Sequence, residues 1–142
     1  MNERLKYAAE LLKKENYTLV LYNGTELVTS KDKGIKPLLD LYNQGKRFGN
    51  FSSADLVMGK AVAFLYVLLG VKEIFAPTAS EPALEVLRRY NIKIEYEKQV
   101  PFTMKREGTG ICPMEQAVLE IDEPDAAYKI IQKKWNELKK GE

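Results

Sequence analysis

Between Leu56 and Val71 the chain is apolar at nearly every position, and one charge, Lys60, interrupts the run. No other stretch constrains the fold as strongly. It falls short of the roughly 18 uninterrupted apolar residues of a membrane span, so it must be wrapped by protein. A helix without a polar face is buried on most sides, which requires packing layers on more than one side of it. The pattern predicts a helix over 54–69 that stops at Gly70. Ser52 or Ser53 is the expected N-cap, because a serine hydroxyl accepts from the free amides of the first turn.

The rest of the pattern supplies those layers. Leu5, Ala8, Leu11 and Leu12 share one face of a helix over 3–15. Thr18 to Tyr22 and Thr25 to Thr29 are β-forming runs around Asn23-Gly24, a hairpin signal because both turn residues tolerate positive φ. Residues 36–44 read as a short helix, and 46–51 as a loop. Glu73 to Ala76 and Ile92 to Tyr96 read as strands. Between them a helix over 81–90 is capped by Ser80, with Pro82 in its first turn, where a missing amide is harmless. Pro101 to Gly110 is a loop. Cys112-Pro113-Met114-Glu115 reads as a helix start. Residues 113–120 also fit a final strand, and helix is favoured. Asp122 caps a last helix over 123–139, with acids first and lysines last, as the helix dipole prefers. Alternating helices and strands after a hairpin imply an α/β domain with helices on both faces of the sheet. In such sheets ligands lie outside the carboxyl ends of the strands, near helix N-termini. That rim holds Ser53-Ala54-Asp55 and Thr78-Ala79-Ser80.

Composition closes off several chemistries. The 142 residues include no histidine and one cysteine. No Ser-His-Asp or Cys-His site can form within the chain, and neither can a zinc site with histidine or several cysteine ligands. A single cysteine excludes an internal disulfide and suits a reducing cytoplasm. Twenty-two Lys+Arg against 20 Asp+Glu leave +2, too little for a nucleic-acid footprint. Met1 to Lys14 is charged and periodic and lacks the apolar core of a signal peptide. The expectation is one domain over 1–142, cytoplasmic, with no membrane segment.

Three residues stand out. Asp55, near a helix start, is either a favourable first-turn acid or a carboxylate at a pocket rim. Lys60 either snorkels to the surface or serves as an anion anchor. Gly59 beside it implies a close neighbour. Cys112 is either an inert buried thiol or a nucleophile whose thiolate is stabilised at a helix N-terminus, with Lys105 and Arg106 close in sequence. Glu115, one turn on, suits capping better than proton transfer. The Gly108-Thr109-Gly110 loop is open enough to cradle an anion, but matches no established phosphate motif.

Two stretches, Ala54-Asp55 through Gly59-Lys60-Ala61 and Gly108 through Glu115, together with Gly34-Ile35-Lys36-Pro37-Leu38-Leu39, carry a resemblance over nearly the whole chain. They look like a small prokaryotic family of unknown function with a cytidine-deaminase-like fold. The resemblance implies a three-layer α/β/α domain, with a mixed sheet of four or five strands and an N-terminal hairpin. Its site would lie at the N-termini of the two central helices. The larger superfamily binds zinc there through His-x-Glu and Pro-Cys-x-x-Cys, the glutamate shuttling protons. Here the corresponding stretches read Ser53-Ala54-Asp55 and Pro77-Thr78-Ala79-Ser80-Glu81, so the metal ligands are absent and Asp55 alone stands in for the acid.

The expected function is therefore a metal-free and cofactor-free domain binding a small nucleotide-like or sugar-phosphate ligand. If it is catalytic, Cys112 is the nucleophile, Asp55 the acid or base, and Lys60 an anion or carbonyl partner. Ser53, Thr78, Ser80, Gly108, Thr109, Gly110 and Glu115 would bind the ligand. The competing expectation is a non-enzymatic sensing or assembly module, in either case a homo-oligomer.

Overall fold

The computed structural model describes residues 1–105 and 108–140. Six strands form one mixed sheet, not the four or five expected, because the segment read as a helix start supplies two of them: β1 (Leu19–Tyr22), β2 (Leu27–Ser30), β3 (Ser52–Asp55), β4 (Val57–Met58), β5 (Glu73–Ser80) and β6 (Lys93–Val100). Six helices accompany it: α1 (Glu3–Lys14), α2 (Lys36–Asn43), α3 (Lys60–Leu69), α4 (Glu81–Arg89), α5 (Pro113–Ala117) and α6 (Pro124–Lys140). The hairpin strands are antiparallel, β1 pairs antiparallel with β3, and β3, β4 and β6 pair parallel with β5.

The apolar run is sequestered from Met58 onward, Leu56 and Val57 staying exposed, and its helix starts later than the periodicity predicts. Residues 52–55 and 57–58 are strands, and α3 begins at Lys60 with extended Gly59 as N-cap. Ser52 and Ser53 are therefore strand residues, not caps, and Asp55 ends a strand rather than occupying a helical first turn. The cause is tertiary. Ser52-Ser53-Ala54 fills the gap between β1 and β5, and both buried hydroxyls find partners: Ser52 on Glu73 at 2.5 Å, Ser53 on Tyr66 at 2.7 Å. Burial with satisfied polar groups outweighs a weak local preference.

Pro77 shapes the middle of the sheet. Ala54 lies opposite Phe75 and Val57 opposite Thr78, so β3 and β4 keep one register and are interrupted only beside Pro77. On the other side the pairing passes from Ala76↔Tyr96 to Thr78↔Lys98. Proline has no amide to give to a ladder, so both ladders lapse at that level. Asp55 sits at the lapse.

Helix α1 covers one face. Its Leu5, Ala8, Ala9 and Leu12 pack with Val20, Ala54 and Phe75. The larger core lies on the other face, where α3 meets α2, α4, α5 and α6 as well as the sheet. That surround accounts for the missing polar face of α3. Other expectations need adjustment of extent. The β5 and β6 strands run four residues further than their apolar alternation predicts. The hairpin turn spans Asn23 to Glu26, with the Asn23 side chain accepting from the amides of Thr25 and Glu26. The 113–120 alternative resolves as the short helix α5. Ser80 caps α4 as expected, accepting from the Ala83 amide at 3.2 Å.

Candidate functional site

A cavity of about 560 Å³ opens where β4, the start of α3, the approach to α2 and the segment around α5 meet. Gly59 forms part of its floor. A Cβ there would lie 3.1 Å from Thr103 Oγ1 and 3.3 Å from Glu115 Oε2, so the neighbour that this glycine implies is a pair of polar side chains. Cys112 and Glu115 both line the cavity, as do Lys33 and Lys105.

Glu115 is the most heavily bonded side chain of the site and is 1% exposed. Its Oε1 accepts from the Lys60 amide at 2.9 Å and from Ser80 Oγ at 2.8 Å. Its Oε2 accepts from the Thr103 amide at 2.7 Å and from the Thr103 hydroxyl. Lys60 is the first residue of α3 and Ser80 the cap of α4, so one carboxylate joins two helix N-termini, where negative charge is favoured. Four donors fill the acceptor sites of a carboxylate. Glu115 is a cap, as its position predicts, but for α3 rather than for its own helix, and it also holds the Ser80 hydroxyl that caps α4. Sequence spacing cannot show that, because the partners lie 55 and 35 positions away.

Lys60 turns away from the cavity. Its ammonium donates to the Leu119 carbonyl at 2.7 Å and lies 5.8 Å from the centre of the Phe64 ring. It is 8% exposed, so it is neither at the surface nor among the cavity-lining residues.

Asp55 belongs to a second constellation. The Tyr66 hydroxyl donates to Asp55 Oδ2 at 2.7 Å and meets Ser53 Oγ at 2.7 Å. Ser53 and Asp55 are two apart in β3, hence on one face, and Tyr66 reaches that face from α3. Burial pushes the Asp55 carboxyl up to about 7, against the opposing hydrogen bonds from Tyr66 and the Val57 amide. Burial, and then the Asp55 charge, push the Tyr66 hydroxyl well above its ordinary value, so it keeps its proton and donates. A carboxyl titrating near neutrality suits proton transfer. Asp55 is not among the residues lining the cavity that holds Cys112, although the next residue on its face, Val57, is.

The remaining candidates scatter. Thr78 lies within β5, opposite Val57 and Lys98. Gly108, Thr109 and Gly110 belong to a turn held by Lys105 N–H to Gly110 C=O at 2.8 Å and Gly108 N–H to Lys105 C=O at 2.8 Å. They do not line the cavity. Arg106 lies outside the described residues. Cys112 precedes a helix of five residues and is partly exposed on the cavity wall. Sequence reasoning missed Thr103 and Tyr66. Neither carries a local signal: one sits in an irregular stretch, the other in an apolar helix where a tyrosine reads as core. Among the described residues, no group of three acidic or cysteine side chains is arranged to hold a metal, and no helix is long and apolar enough to cross a membrane.

A family model described as a domain of unknown function, DUF1893, matches residues 7–135. The chain belongs to this family. A DUF1893 protein from Thermotoga maritima has a similar crystal structure, with a TM-score of 0.87 and 29% identity over 94% of this chain and 92% of that one. The structural similarity therefore extends over nearly the whole of both chains. No curated protein matches the chain.

Proposed function

We propose that this DUF1893 domain is a cytoplasmic binding domain for a small nucleotide-like or sugar-phosphate ligand, held in the cavity beside Gly59 and Cys112. The observation that carries the reading is the make-up of that cavity. Val57, Val62 and Met114 give it apolar wall for a ring, while Lys33 and Lys105 bring positive charge for an anionic group. Its volume of about 560 Å³ falls within the range of small-molecule sites. We also read the fold as cytidine-deaminase-like. The N-termini of α3 and α4 meet at one point, where that resemblance puts the site, and the Glu115 carboxylate lies between them.

Binding is favoured over catalysis by one specific feature. Glu115 has no acceptor site left to take a proton, so a reaction in this cavity would rest on Cys112, with Asp55 reaching it only through movement or water. Thermal denaturation with a panel of nucleosides, nucleotides and pentose phosphates tests the proposal, using the native protein and Val57→Trp. Val57 is 45% exposed and lines the cavity, so tryptophan there fills the site at little cost to the fold. A saturable rise in Tm for the native protein, lost in Val57→Trp, is the expected result. No shift with any compound would favour the assembly reading instead.

A further inference from the structure

One wall of the cavity is made by residues 101–105 and 108–119, which lead out of β6 and through α5. This stretch bonds mainly to itself. The Cys112 amide donates to the Thr103 carbonyl at 2.9 Å, Gln116 to Cys112 at 3.0 Å, and Met104 bridges to Ile111. Apart from the Ile121 amide, which donates to the Val118 carbonyl at 3.0 Å where the chain continues, three hydrogen bonds among the described residues tie it to the rest of the protein. The Lys60 amide and Ser80 hydroxyl reach Glu115, and the Lys60 ammonium reaches the Leu119 carbonyl. Two of the three end on one carboxylate, and two begin on one residue. The other anchors are apolar, chiefly Met114 and Val118, both buried. Met104 is 53% exposed.

We propose that this stretch is a strap across the cavity, with the Glu115 carboxylate as its latch and Lys60 as the post it fastens to. Regions held by few contacts open at a lower free energy than the whole fold. With the latch released, the strap lifts as a unit because its internal bonds are independent of the core. Cys112 is then exposed, and the cavity widens on the side of Thr103. Lys60 has a use here that explains its burial without ligand chemistry. Its backbone holds the middle of α5 at Glu115 and its side chain the chain just beyond α5 at Leu119, so both anchors lie on the side of α5 away from Cys112 in sequence and hold the helix that Cys112 leads into. The reading of the cavity as a ligand site underlies only what the strap controls, since the latch is measurable without ligand.

The test follows two rates in the ligand-free full chain: alkylation of Cys112, the sole cysteine, by iodoacetamide, and backbone hydrogen exchange. Glu115→Gln puts an amide against donors and breaks the latch. It is expected to speed Cys112 alkylation and strap exchange by about tenfold or more, while α1, α3 and β5 stay protected. Lys60→Met removes only the ammonium contact and is expected to speed both rates less. Loss of protection throughout the chain in step with the strap would make Glu115 a core support and overturn the latch, as would unchanged rates. Should Glu115→Gln fail to fold, Ser80→Ala and Lys60→Met make the same measurement, and unchanged strap rates in both overturn the proposal. A strap that opens in a protein that binds none of the panel compounds removes the ligand reading alone. A ligand that shields Cys112 in a protein whose strap rates ignore Glu115 removes the latch alone.

Discussion

Replacing Asp55 by asparagine should change the stability of this protein in opposite directions at acid and at alkaline pH. The folded carboxyl titrates near 7, against 3.8 for an ordinary aspartate, because burial penalises its charged form. The sign follows from the protons bound. Between these two values the folded state holds more protons than the unfolded state, so stability falls as pH rises through the window and is level above it. The full penalty above pH 7 is about 4 kcal/mol. An amide at this position never ionises and so escapes it. It keeps one acceptor oxygen for the Tyr66 hydroxyl but loses the acceptor facing the Val57 amide, at a cost of about 1 kcal/mol. Asp55→Asn should therefore lose about 0.5 kcal/mol at pH 4, where ionisation of the unfolded chain has just begun, and gain about 3 kcal/mol at pH 8. Urea denaturation followed by Trp135 fluorescence measures both, because this sole tryptophan packs partly buried against the core. Taking the difference between the two proteins at each pH cancels other titrations, including that of Glu73. A difference of the same size and sign at both pH values would refute the reasoning. A crossing would mean that the chain keeps an acid where an amide is more stable at neutral pH and above, a pattern that points to use rather than support.

Other outcomes follow from the same contacts. Gly59→Ala would press a methyl group against Thr103 and Glu115, and overpacking of that kind should lower stability by about 1–3 kcal/mol in chemical denaturation. Tyr66→Phe leaves the buried Ser53 hydroxyl without its partner and removes a donor from Asp55. It should cost about 1–2 kcal/mol and raise the Asp55 titration further, as read by the pH dependence of stability. Lys60→Met keeps the apolar stem, so ligand affinity in the cavity should be unchanged by calorimetry. A large loss would place the ammonium in the site after all. Reversing charge at Lys33 and Lys105 together should weaken a phosphate-bearing ligand far more than the corresponding nucleoside, with a matching fall in salt dependence.

The architecture is legible in the sequence where one face of an element meets one kind of neighbour. Leu5, Ala8 and Leu12 announce α1, and Ser80 with Pro82 announces α4. The all-apolar character of α3 correctly demands a many-sided surround. Ser52 to Asp55 misleads because serine, alanine and aspartate are as ordinary in a helix start as in a small-residue central strand, and only the flanking β1 and β5 decide between them. The site is half legible. Cys112, Glu115 and Gly59 are marked by position, and they do meet. The partners that give Glu115 its role arrive from α3, α4 and Thr103, distances along the chain that no local pattern encodes. Tyr66 is hidden for the same reason, since what makes it more than core is the Ser53–Asp55 face it reaches.

The most direct test of the cavity as a ligand site is a titration of the ¹⁵N-labelled protein with nucleoside monophosphates and pentose phosphates, followed by amide chemical shifts. The expected result is saturable change concentrated at Val57, Gly59, Ala61, Thr103 and Cys112, with α1 and the β1–β2 hairpin unmoved. Saturable shifts centred elsewhere, or none with any of these compounds at millimolar concentration, would contradict it.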